Sequence, residues 1–236
     1  MNGRIRNLAR QAPQVAAVLS LTLLLVSGGA GTADLSEKAR ACSNHLGTLP
    51  VALGQALSPP LEILSWNIQK ASNQGWMEDL VALGGDRNLT FIQEAALHAQ
   101  LGELQPSGPL YQSFAEGFIT SSQRTGVMTL STHAPTMQCN FARYEPWLGT
   151  PKAAAVTEHA LEGSDERLLA INLLAVNFTF GIADLNAQLS PLAELLSSHR
   201  GPAILAGDFP QHRVDFLRRE HGCGGAGRAQ KSCAQR

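Results

Sequence analysis

Charge is scarce in this chain, at 16% of residues, and aromatic side chains are scarcer still, at 6%. With 44% of residues hydrophobic, an extended, self-repelling polymer is excluded and a packed core is expected. There is no basic excess, because 18 Lys and Arg face 19 Asp and Glu. Binding nucleic acid mainly through charge is therefore disfavoured, although one local basic groove stays open. Cysteine is limited to Cys42, Cys139, Cys223 and Cys233. Their spacing lacks the paired histidines of a zinc site. Only one apolar run is long, so a protein that crosses a membrane many times is excluded. Residues 222–236 contain no Val, Ile, Leu, Met, Phe, Trp or Tyr and offer nothing to a core.

The long run lies at the N-terminus. Arg4, Arg6 and Arg10 precede Val15 to Val26, and Gly31-Thr32-Ala33 supplies small residues before Asp34. That order reads as an export signal over residues 1–33, giving a periplasmic or secreted protein. An N-terminal membrane anchor is the alternative, for which the run is short against the roughly 20 residues a span needs. Removing those three Arg leaves 15 Lys and Arg against 19 Asp and Glu, a net charge of −4. In an oxidising compartment the cysteines have three possible pairings. Cys42–Cys139, tying the N-terminal arm to the domain, is the favoured one.

About 200 residues remain, enough for one large α/β domain. Residues 34–60 read as a leader that becomes extended at Pro59-Pro60. Strands are expected at Leu61–Trp66, Leu89–Ile92, Gly126–Ser131, Thr136–Phe141, Ala153–Thr157, Leu168–Leu174 and Ala203–Ala206. A helix from Trp76 should stop at Gly84-Gly85, and Ala95–Leu104 has helical character. Ile182, Leu185, Leu189, Leu192 and Leu196 mark another helix, which Pro191 should kink or restart with Ser190 as cap.

Three of these strands end in residues suited to a hard cation: Asn67, Glu94 and Asp208. Strand ends are where α/β sheets place ligands. Magnesium takes oxygen ligands, commonly one or two carboxylates with water and phosphate. Taken singly, a polar residue after a strand is usually a turn residue. Taken in order, the local sequences say more. Leu64-Ser65-Trp66-Asn67-Ile68-Gln69, Phe91-Ile92-Gln93-Glu94-Ala95, Thr125-Gly126-Val127-Met128-Thr129-Leu130-Ser131 and Ile204-Leu205-Ala206-Gly207-Asp208-Phe209 resemble successive motifs of the endonuclease/exonuclease/phosphatase superfamily. The likeness covers roughly residues 61–220. Glu145-Pro146-Trp147, Thr150-Pro151-Lys152-Ala153 and Ala175-Val176-Asn177-Phe178 resemble a bacterial exported or membrane-attached branch.

The resemblance implies a four-layer α/β sandwich, two facing mixed sheets with helices outside. It implies a metal-dependent phosphoester or phosphodiester hydrolase using magnesium, with manganese as the alternative. Asn67, Glu94 and Asp208 would hold the metal, and Asp208 would also be catalytic. Substrates in such proteins run from DNA to phospholipids, so the phosphate ester is left open.

The chain departs from that pattern in three places. The family's Asn-x-His reads Asn172-Leu173-Leu174, which puts Leu174 at the His position. Its Gly-Asp-Phe-Asn reads Gly207-Asp208-Phe209-Pro210, which puts Pro210 at the Asn position. The closing strands and their Asp–His pair do not appear, so residues 61–221 read as an incomplete domain followed by an irregular tail, 222–236. His212 and His221 read as surface residues. Lost or impaired turnover is the expectation, and a pseudoenzyme that binds a phosphorylated ligand or protein is the alternative. If turnover survives, His133, His159 or His212 would have to stand in for the missing groups. Missing strands would also leave open sheet edges that invite self-association.

Overall fold

The computed structural model describes residues 30–97, 110–177 and 182–209, apart from residues 53 and 122. Its elements run α1 (Ala30–Ser43), β1 (Ala56–Leu57), β2 (Ile63–Asn67), α2 (Trp76–Gly84), β3 (Leu89–Ala96), β4 (Tyr111–Ile119), β5 (Arg124–Ser131), β6 (Met137–Tyr144), β7 (Pro151–Leu161), β8 (Arg167–Leu174), α3 (Ala183–Ser198) and β9 (Ala203–Asp208).

The strands form two mixed sheets. The larger runs β1-β7-β8-β9, with β6 also paired to β7, and the smaller runs β2-β3-β5-β4. The parallel pairs are β1 with β7, β8 with β9 and β2 with β3, and the rest are antiparallel. Side chains alternate across a strand, so each sheet has an inner and an outer face. Leu168 and Ala170 of β8 pack with Leu89 and Phe91 of β3 between the sheets. Leu169, Ile171 and Leu173 face the other way, onto Leu185, Leu192 and Leu195 of α3 and Ala39 of α1. On the far side Leu80 of α2 packs with Ile92, Met128 and Leu130 of the smaller sheet. The order is helices, sheet, sheet, helix, which is the four-layer sandwich expected.

Three local expectations give way to tertiary packing. Residues 34–60 are not merely a leader, because α1 lies there and Cys42 is bonded to Cys139 of β6, with a Cα–Cα distance of 6.2 Å. Cys223 and Cys233 lie outside the described residues. Ala95 and Ala96 belong to β3, paired with Gly126 and Thr125, rather than to a helix. Small apolar residues suit either state, and pairing with β5 decides. Helix α3 continues through Pro191 without interruption. An internal proline costs about 3 kcal/mol. Burying Leu185, Leu192 and Leu195 against the sheet returns about 1.5–3 kcal/mol each, enough to hold the helix together. Strand β4 was not legible beforehand, since Tyr111–Ile119 mixes glycine, serine and charge.

Among the described residues β2 and β9 are edge strands on the same side of the sandwich, each bonded to a neighbour on one side only. Ile63 and Leu205 are exposed on them.

Candidate active site

Polar contacts join the two sheets at one end. Gln93 Nε2 donates to Asn172 Oδ1 at 2.7 Å, so the C-terminal halves of β3 and β8 lie face to face. β2 runs parallel to β3 with Asn67 opposite Gln93, and β9 runs parallel to β8 with Asp208 opposite Leu174. All four strand ends therefore converge. Gly207 is required at its place, since a Cβ there would lie 2.3 Å from the Leu173 carbonyl oxygen.

Glu94 reaches the same place through a bulge. The β3–β5 register jumps between Gln93 and Ala95, leaving Glu94 unpaired with φ at 50°. A bulged residue re-aims its side chain, and left-handed backbone in a non-glycine residue is a strained conformation that clusters at functional sites. Gln69, Lys70 and Ala71, just after Asn67, also have positive φ, at 50°, 59° and 59°.

The three strand-end residues meet. Asn67 Nδ2 donates to Asp208 Oδ2 at 2.8 Å and lies 3.4 Å from Glu94 Oε1. Asn67 Oδ1 accepts from the Gln69 backbone N–H at 2.9 Å. Lys70 Nζ stands 4.0 Å from Glu94 Oε2. Two carboxylates thus lean on the Nδ2 side of one amide group, while its carbonyl oxygen is turned to the Gln69 backbone N–H; all of these oxygens are donors of the hard kind that magnesium takes. Among the described residues no cluster of three or more His, Cys, Asp or Glu forms, so the acidic part of the set is two residues.

Glu94 opens onto a cavity of ≈ 310 Å³ that is also lined by Lys70, Leu174, Lys152, Phe118 and Leu148. Leu174, at the position where the resemblance calls for His, therefore faces the pocket and gives it no hydrogen bond. Pro210 and His212 lie outside the described residues. His133 and His159 lie at the other end of the strands: Ser131 pairs with Leu89 at the start of β3, and His159 with Leu168 at the start of β8. Neither can substitute for the group missing at Leu174, so that expectation is corrected. His159 is buried, and burial, with His133 nearby, lowers its pKa to about 4.

Sequence reasoning assigned no chemistry to Glu145, Lys152 or Lys70. Glu145 is buried after β6. It accepts from the Asn177 backbone N–H at 3.0 Å and from the Thr150 hydroxyl, with Lys152 Nζ at 3.8 Å. The three segments that resembled one bacterial branch are thereby tied at one carboxylate beside the pocket. Lys70 was hidden because only its backbone turn carries it toward Glu94.

No family model matches the chain. Two sequence relatives are informative. The UPF0294 protein of Vibrio vulnificus strain YJ016 is 34% identical over 149 residues, covering 63% of this chain and 52% of that protein. The UPF0294 protein of Vibrio parahaemolyticus is 33% identical over 149 residues, covering 63% and 53%. The chain is similar to UPF0294 proteins. It spans about half the length of these relatives. Among solved structures, a Bacteroides thetaiotaomicron mannosyl-6-phosphatase matches at TM-score 0.48 and 16% identity, covering 68% of this chain and 71% of that one. The human Nocturnin catalytic domain, solved with sulfate, matches at 0.46 and 16%, covering 65% and 66%. A truncated Caenorhabditis elegans TDP2 matches at 0.47 and 14%, covering 65% and 64%. At these scores the architecture rests on the strand registers above.

Proposed function

We propose that the chain is a metal-dependent phosphoester hydrolase of the endonuclease/exonuclease/phosphatase type whose turnover is impaired. The supporting observation is the meeting of Asn67, Glu94 and Asp208 at one end of the two sheets. Asn67, Glu94 and Asp208 would hold magnesium, and the bound ion would neutralise phosphate charge and make water more acidic. The rest is work for the chain's own groups. Asn67 orients the Asp208 carboxylate by its 2.8 Å bond, leaving the second oxygen to accept a proton from water. Lys70 offers an ammonium to a phosphate oxygen beside Glu94. Leu174 donates nothing to a phosphate on which charge builds, and this supports impairment. The protein is proposed to be exported; no helix among the described residues is long and apolar enough to cross a membrane.

A binding protein without turnover is the second reading, favoured by Leu174 in the pocket wall. Calorimetric titration with magnesium tests what the two readings share. Binding by the wild type that Glu94→Ala loses is the expected outcome. Equal binding by both proteins removes Glu94 from the site. Hydrolysis of plasmid DNA and of a generic phosphodiester, with magnesium and with chelator, then separates enzyme from binder.

A further inference from the structure

Sulfur is not spread evenly through the fold. The described residues hold five sulfur-bearing side chains, Cys42, Cys139, Met77, Met128 and Met137. Three of them meet at one point. Met137 Sδ lies 3.6 Å from Cys42 Sγ and 3.3 Å from Cys139 Sγ. Met137 and Cys139 are two residues apart on β6, so the strand's period of two turns both onto one face. That face packs against α1, which carries Cys42. Met137 and Cys42 are buried, and Cys139 is partly exposed, which gives the group a path to solvent.

While Cys42 and Cys139 are bonded to each other, their sulfurs are not free to take a ligand. A dithiol reductant changes this. It gives up two electrons and two protons and closes to its own disulfide, and the Cys42–Cys139 bond opens to two thiols. Two thiols then stand beside a thioether. Thiolate and thioether are soft ligands, the kind that selects copper(I). Zinc is a poorer fit, because it takes four ligands, and among the described residues no third His, Cys, Asp or Glu joins the two cysteines. With metal–sulfur bonds of about 2.3 Å, the sulfurs of a trigonal set stand about 4 Å apart. The thioether is already near that distance from both cysteines. The cysteine Cα atoms are 6.2 Å apart, so rotation about the side-chain bonds is enough to part their sulfurs. Packing alone does not ask for sulfur at position 137, since leucine would fill a similar volume.

We propose that Cys42, Cys139 and Met137 form a copper(I) site, which the disulfide closes and reduction opens. On binding, copper(I) displaces both thiol protons, forms two bonds to thiolate and one to the thioether, and keeps its oxidation state.

The test uses the full chain with Cys223→Ser and Cys233→Ser in every sample, so that no other thiol can hold copper. The protein is reduced with dithiothreitol, freed of it without air, and titrated with copper(I) against bathocuproine disulfonate, whose copper(I) complex is coloured. Reduced protein should withdraw one equivalent of copper, and the disulfide form should withdraw none. Met137→Leu keeps the core volume and both thiols, and should weaken binding by about tenfold or more. Cys42→Ser with Cys139→Ser should abolish it. Circular dichroism on the reduced samples checks that α1 and the sheets persist. X-ray absorption at the copper edge should count three sulfurs in the wild type and two in Met137→Leu. Reduced protein that takes up no copper overturns the proposal. So does a Met137→Leu variant with wild-type affinity and sulfur count, because the thioether is then only packing. Copper held equally well by the double serine variant would place the metal elsewhere and has the same force.

Discussion

Gln93 and Asn172 make a buried side-chain bond between the two sheets that carry the candidate site. The Gln93 amide donates to Asn172 Oδ1 at 2.7 Å in the space between the sheets. Asn172 in turn donates to the carbonyls of Met128 and Ile92, at 2.9 and 3.3 Å. One fully buried amide therefore satisfies three groups of the opposite sheet. Leaving such groups without partners costs about 1–3 kcal/mol. Asn172→Leu should lower the melting temperature by several degrees, at about 2–4 °C per kcal/mol for a chain of this size. Adding Gln93→Leu should recover part of the loss, because the stranded donor goes with it. A thermal melt of the four proteins in the cycle checks this. Additive losses would mean that the two amides are not coupled.

Much of this arrangement was legible in the sequence, and the reason is local. Glu94 and Asp208 follow runs of apolar residues, so the strand and its end are both marked by composition. Asn172 and Gln93 were not legible as a pair. Each is an amide inside a hydrophobic strand, and only the facing of two sheets, a long-range event, brings them together. Lys70 and the bulge at Glu94 were hidden for another reason: a positive φ in a lysine or glutamate leaves no trace in composition. Helix α1 sits where the small and polar residues of 34–43 gave no strong periodicity, and the sheet against which Ala39 and Cys42 pack supplies what propensity did not.

The Cys42–Cys139 bond joins α1 to β6 across a sequence separation of 97 residues. Closing a loop of that length in the unfolded chain stabilises the fold by about 2–5 kcal/mol. Cys42→Ser with Cys139→Ser should therefore melt earlier, and amide exchange should rise first in α1. Reductant should lower the wild-type melting temperature toward that of the variant and leave the variant unchanged. A reductant-insensitive wild type would mean that the bond is absent from the protein in solution.

His159 predicts an acid-sensitive stability. Its folded pKa is lowered from 6.5 to about 4 by burial, with His133 adding to the effect. The unfolded chain takes up this proton near pH 6.5, and the folded chain does so only near pH 4. Between those values the unfolded state binds more protons, so stability rises with pH. The contribution is complete above about pH 6.5 and is lost as pH falls toward 4, on the order of 3 kcal/mol in all. His159→Gln keeps a polar group near the Thr157 hydroxyl and removes the titration. Denaturant melts from pH 7 to pH 4 should show a shallower decline in this variant. Parallel declines would assign the acid sensitivity elsewhere.

Leu174 decides how far turnover can be restored. It sits opposite Asp208 in the β8–β9 register and lines the cavity with Glu94. A histidine there would face the same space as the Glu94 carboxylate. A general acid–base group typically contributes about 10²–10⁴ in rate. A group that stabilises developing charge contributes about 10²–10³. These contributions do not multiply when the groups act as a unit, and restoring one member of a broken unit returns little. The wild type should hydrolyse bis(p-nitrophenyl) phosphate at no more than a small excess over the metal-containing buffer. Leu174→His, alone or with Pro210→Asn, should stay near that level while keeping the wild-type magnesium affinity. Strong turnover by the wild type that Glu94→Ala abolishes would show that the pocket already holds a complete set of groups, with Lys70 and Lys152 the cations nearest to hand. Strong turnover that appears only in Leu174→His would show instead that the site lacks a single group.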